Sequence, residues 1–62
     1  MDAEYMTVEQ VAELLNVKVA TVYGWRRQKH IVSPYKLAGT LRWKRQDILD
    51  WIETKREIMA QD

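Results

Sequence analysis

The chain has 62 residues, with a formal net charge of +1 and no cysteine. Disulfides and thiolate metal sites are thereby excluded, and a reducing cytoplasm fits. One domain is all this length holds, and a chain this short buries only about 60% of its unfolded surface, so its core must rest on a few large side chains. Trp25, Trp43 and Trp51 are the expected suppliers. The longest uncharged stretch, Val19–Trp25, is far short of the roughly 20 residues of a membrane span. The first charges are acidic and no apolar run follows them, so the start does not read as a signal peptide.

In chain order, Thr7 with Gln10 three residues on is the pattern of a capping box, a hydroxyl and an amide satisfying exposed N–H groups reciprocally. Val8, Val11, Ala12 and Leu15 then recur at the spacing of one buried helical face. Asn16 is the expected stop, because asparagine tolerates left-handed geometry. A second helix is predicted from about Lys18 to Gln28, burying Val22 and Trp25. Ser33-Pro34 ends any continuation, since proline drives its predecessor toward extended backbone. Tyr35-Lys36-Leu37 and Leu41-Arg42-Trp43 flank Ala38-Gly39-Thr40 as a hairpin, with Gly39 supplying the positive φ of a tight turn. Alternation is taken to put Leu37 and Trp43 on one face and Lys36 and Arg42 near solvent. A third helix is expected from about Arg45, with Asp47 in its first turn, where the helix dipole favours an acid. Ile48, Trp51 and Ile52 are its apolar stripe, and it is expected to run on through Lys55, Arg56 and Met59 before fraying. No repeat, linker or low-complexity segment interrupts the chain.

Charge is segregated along this order. Residues 1–16 carry −4 and no base, residues 17–46 carry +8 and no acid, and residues 47–62 carry −3. Such segregation predicts one positive face. Two helices joined by about three residues, the second of them basic, suggest a helix-turn-helix. Catalysis fails by inventory: one histidine, no cysteine and no glycine-rich phosphate loop. Asp47 and Asp50 could imitate a carboxylate pair, but dipole complementarity accounts for acids there. His30, a lone histidine, is given no metal role. A membrane-surface role needs one continuous basic amphipathic helix, and Pro34 and the hairpin break the basic region. No cofactor and no small-molecule ligand are expected. The tryptophans could form a stacking platform for single-stranded bases, but their spacing among apolar residues favours core packing.

"YMTVEQVAELLNVKVATVYGW" resembles the opening of the small helix-turn-helix domains of phage excisionases and of related regulators of the MerR type. "HIVSPYKLAGTLRW" is similar to their short wing, and "RQDILDWI" to their closing helix. The resemblance runs over about residues 5–53. It implies a mainly α fold, a small winged helix-turn-helix of three helices and a two-stranded β-hairpin wing. Residues 5–55 are then the binding domain, and 1–4 and 56–62 are terminal extensions. Two positions depart from the pattern. Lys18 stands where relatives often have a capping serine or threonine, a loss of around 1 kcal/mol. Lys29 stands where many have glycine, and a left-handed lysine there costs roughly 1–2 kcal/mol.

With that resemblance, the expected ligand is double-stranded DNA, the second helix entering the major groove and the wing lying against a neighbouring backbone or minor groove. With Val22 and Trp25 turned inward, Val19, Ala20, Tyr23, Gly24 and Arg27 are taken to face out. Arg27 is the expected reader of a guanine edge, and Val19 and Ala20 of a thymine methyl. Tyr23 reaches a phosphate or is merely exposed, and Gly24 lets a backbone approach. Lys18, Thr21, Arg26, Lys29 and His30, with Lys36, Thr40, Arg42 and Lys44 of the wing, are expected to hold phosphates. Relatives often carry charged side chains at the positions of Ala20 and Gly24, so readout here is expected to depend more on DNA shape. The resemblance favours a cytoplasmic excisionase-type factor that places or bends DNA for an integrase, acting with neighbouring copies of itself or with the recombinase. The alternatives are a stand-alone transcriptional regulator and a protein-interaction module using the basic face on an acidic partner.

Overall fold

The computed structural model describes residues 4–57. In order, the elements are β1 (Tyr5–Met6), α1 (Val8–Leu15), α2 (Val19–Arg27), β2 (Tyr35–Leu37), β3 (Thr40–Lys44) and α3 (Arg45–Thr54). Three helices and a three-stranded antiparallel sheet of order β1-β3-β2 make a small, mostly helical, winged helix-turn-helix. The wing is thus one strand wider than the hairpin expected. β1 joins it through Tyr5 opposite Lys44 and Met6 opposite Trp43, and the Arg45 N–H donates to the Glu4 carbonyl at 2.7 Å.

Local chemistry sets the helix ends. The Gln10 N–H donates to Thr7 Oγ1 at 3.1 Å while the Thr7 N–H donates to Gln10 Oε1 at 2.9 Å, so the capping box closes as predicted. Asn16 is left-handed, with φ 58°, and Val17 N–H reaches back to the Ala12 carbonyl. α2 starts at Lys18 without a side-chain cap. It ends in a Schellman motif, with His30 N–H donating to Trp25 O at 2.8 Å and Lys29 N–H to Arg26 O at 3.2 Å. The residue that must turn left-handed there is Lys29, φ 60°. α3 stops at Thr54 with Lys55 as its cap, earlier than the apolar pattern suggested, and Met59 lies outside the described residues.

Hairpin register corrects one expectation. The turn is the two residues Ala38 (φ 52°) and Gly39 (φ 84°), positive at both centres as a type I′ turn requires. Leu37 therefore faces Thr40, Lys36 faces Leu41 and Tyr35 faces Arg42. A three-residue turn would have shifted the pairing, and a shift of one residue moves each side chain to the other face. Leu37 thus lies 44% exposed on the outer face with Tyr35 and Arg42, while Trp43 is fully buried on the inner face with Leu41. Lys36 and Arg42, expected together, lie on opposite faces of the sheet.

The core is Met6, Val8, Val11, Ala12, Val22, Ile31, Trp43 and Ile48. Of the three tryptophans only Trp43 is fully enclosed; Trp25 and Trp51 pack against the core from its margin, their ring centroids 6.0 Å apart. Both indole donors tie down the loop after α2: Trp43 Nε1 donates to the Val32 carbonyl at 2.8 Å and Trp51 Nε1 to the His30 carbonyl at 3.1 Å. A buried indole N–H needs such a partner, and here the partner is the segment that fixes the wing against α2. No helix among the described residues is long and apolar enough to cross a membrane.

Candidate nucleic-acid interface

α2 presents its outer side because Val22, fully buried, anchors the opposite one. Ala20, Tyr23, Arg27 and the cap Gln28 are exposed and Gly24 is half-exposed. Val19 departs from the expected set. It sits one turn before Val22 on the same flank, packs against the core and is half-buried, so it is a packing residue rather than a free contact. Thr21 is half-buried on the other flank, whereas Lys18, Arg26, Lys29 and His30 are exposed.

Leu41 of β3 lines two clefts beside α2 and the wing. One, of about 380 Å³, is lined by Arg26, Arg27, Lys29, Ser33, Lys36 and Leu41, among others. The other, of about 470 Å³, is lined by Thr7, Glu9, Tyr23, Thr40, Leu41 and Arg42, among others. The first gathers four cations, from α2, the turn that ends it and β2. None of them is ion-paired, since the pair formed among the described residues is Arg56 with Glu53 at 3.2 Å on the exposed end of α3. Four unneutralised cations around one concavity focus a positive potential there. Among the described residues no group of His, Asp and Glu is placed to hold a metal ion.

The wing bases divide between settings. Lys36 faces α2 across the first cleft, and Arg42 lines the second with its Nη1 donating to the Leu41 carbonyl at 2.8 Å. Lys44 pairs across to Tyr5. The Thr40 hydroxyl donates to Leu37 O at 2.7 Å, so it closes the turn before it offers anything to a ligand. Two exposed residues near the clefts, Gln28 and Ser33, carry no strong signal in the sequence. Gln28 follows Gly24 by four residues, a spacing that would have placed it on the outer stripe. Ser33, whose place before Pro34 marks only a helix stop, lines the first cleft. The rings of Tyr5 and Tyr35 meet edge to face at 5.9 Å, a contact that depends on the pairing of β1 with β3.

Gly24 is not forced by internal packing. A Cβ there would meet Arg27 Nη2 at 3.8 Å, an ordinary contact distance. Gly24→Ala should therefore raise stability by about 0.5–1 kcal/mol through helix propensity. If a DNA backbone or base edge lies against this point, duplex affinity should fall in the same variant. Thermal melts and duplex titrations of the one protein check both, and affinity equal to wild type would remove Gly24 from the interface.

No curated protein and no solved structure matches the chain significantly. Residues 5–56 match a family described as "Helix-turn-helix domain", a span that takes in every element from β1 to α3 and both clefts. The chain belongs to this helix-turn-helix domain family, whose members are small excisionase-like DNA-binding domains.

Proposed function

We propose that the domain binds double-stranded DNA with α2 in the major groove and the wing against the adjoining backbone or minor groove. The observation that carries this reading is the convergence of Arg26, Arg27, Lys29 and Lys36 between helix and wing, none of them ion-paired among the described residues. Arg27, Ala20, Tyr23 and Gln28 face the base edges, and arginine's two-pronged recognition of guanine makes Arg27 the principal reader. Lys18, Thr21, Arg26, Lys29, His30, Lys36, Thr40, Arg42 and Lys44 hold phosphates and set the register. Residues 5–55 act as the binding unit in the cytoplasm, without a cofactor.

Within this reading the domain is an excisionase-type architectural factor that places or bends DNA for an integrase. Its contact with that recombinase, or with a neighbouring copy, falls to the outer face of the sheet. Tyr5, Tyr35 and Leu37 are 41%, 44% and 44% exposed on that face beside Arg42 and Lys44, and exposed apolar patches rimmed by polar groups mark interaction surfaces. A stand-alone transcriptional regulator would use the same DNA-binding geometry, and an attachment-site excision assay with and without the protein separates the two roles.

The test of the DNA reading separates base contact from phosphate contact. On a duplex selected for tightest binding, Arg27→Ala should cost about 1–3 kcal/mol and relax preference at one or two base pairs. Lys36→Ala should weaken selected and random duplexes nearly alike. Competition titrations on selected, singly substituted and random duplexes measure both. Uniform weakening by Arg27→Ala would make α2 a phosphate clamp and not a reader.

A further inference from the structure

Lys29 holds a backbone conformation that its side chain makes costly. Among the described residues, three non-glycine residues have positive φ: Asn16, Lys29 and Ala38. Asparagine visits this region readily, and Ala38 sits in a turn that demands it. Lys29 has neither excuse, for it fills the Schellman position where glycine is usual. Nor does the lysine repay the strain inside the molecule. It is exposed, and its ammonium takes part in none of the described ion pairs or side-chain hydrogen bonds. What the conformation does achieve is placement, because Lys29 lines the 380 Å³ cleft beside Arg26 and opposite Lys36.

We infer that this cleft is a single-phosphate clamp. Arg26, Lys29 and Lys36 close jointly on one phosphodiester of the strand that passes between α2 and the wing, and Lys29 is held left-handed to complete the grip. The inference rests on the duplex-binding reading and deepens it, since it puts helix and wing on either side of one strand at one linkage. A tetrahedral anion with several acceptor oxygens suits donors arriving from two sides. The Ser33 hydroxyl at the cleft wall adds a neutral donor. Ile31, Pro34 and Leu41, which also line the cleft, give it apolar walls that strengthen charge interactions.

The test uses the whole chain as wild type, Lys29→Gly, Lys36→Ala and the double variant. Each is melted and then titrated with a mixed-sequence duplex of about 20 base pairs over a range of salt. Lys29→Gly should melt about 4–8 °C higher than wild type, as relief of roughly one residue's left-handed strain implies. It should nevertheless bind the duplex about tenfold more weakly at low salt. Each neutralised phosphate contributes about 0.9 to the slope of log K against log salt. The double variant should therefore lose no more than about one unit of slope in total, because the two lysines share one phosphate with Arg26. A loss near two units would assign them to separate phosphates and overturn the clamp. Wild-type binding by Lys29→Gly would overturn it too, as would a melting temperature no higher than wild type. If the wild type ignores the duplex at low salt but binds an acidic peptide, the DNA reading fails and the clamp falls with it. A wild type that binds while Lys29→Gly binds equally defeats the clamp alone.

Discussion

Trp43→Ala should leave the domain without a cooperative melt. Trp43 is fully buried at the centre of the core, on the strand that pairs with both others. Truncating a buried tryptophan costs about 3–5 kcal/mol. The whole stability of a chain this size is roughly 3–9 kcal/mol at the usual value per residue. The variant also loses the indole bond to the Val32 carbonyl, which frees the loop that sets the wing against α2. Trp51→Ala should be milder, about 1–3 kcal/mol, because Trp51 is only half-buried and its bond to the His30 carbonyl lies near the surface. Circular-dichroism melts of the two variants check the ranking. A cooperative Trp43→Ala melt near the wild-type temperature would show that the core does not depend on this residue.

That ranking could not be read from the chain. All three tryptophans sit at apolar positions of their elements, and which one is enclosed depends on how the sheet packs across α1 and α3. What was legible is what residues close in sequence decide among themselves. Thr7 and Gln10 close a box over three residues, Asn16 turns left-handed where its helix stops, and Gly39 serves the hairpin turn; the left-handed Lys29 was suggested only by the family resemblance. β1 was not legible because two residues have no period, and Tyr5 and Met6 are extended only through partners almost forty residues away. The hairpin faces were misassigned because one residue separates a two-residue turn from a three-residue one. For the site, the segregation of charge announced a basic face. It did not show that Lys36 joins Arg26 and Lys29 around one cleft, since that convergence depends on the hairpin register.

The second large effect is electrostatic. If about five basic groups replace counterions condensed on the duplex, log K should fall against log salt with a slope near −4 to −5. Between about 50 and 200 mM salt that slope lowers affinity several-hundredfold, more than any single substitution at the interface is expected to achieve. Lys18 and Arg27 of α2 and its flank, Arg42 and Lys44 of the wing, and the joint site of Arg26, Lys29 and Lys36 counted once are the groups that supply it. A different outcome is expected if the basic face merely solvates the fold or docks on one acidic protein patch, because then no duplex is bound in a salt-linked way. The decisive measurement is the equilibrium affinity of the wild-type chain for a mixed-sequence duplex across this salt range. Measurable binding at low salt is expected, declining with a slope near −4 to −5. Tight binding that hardly changes with salt, or no binding to duplex at low salt, would contradict it.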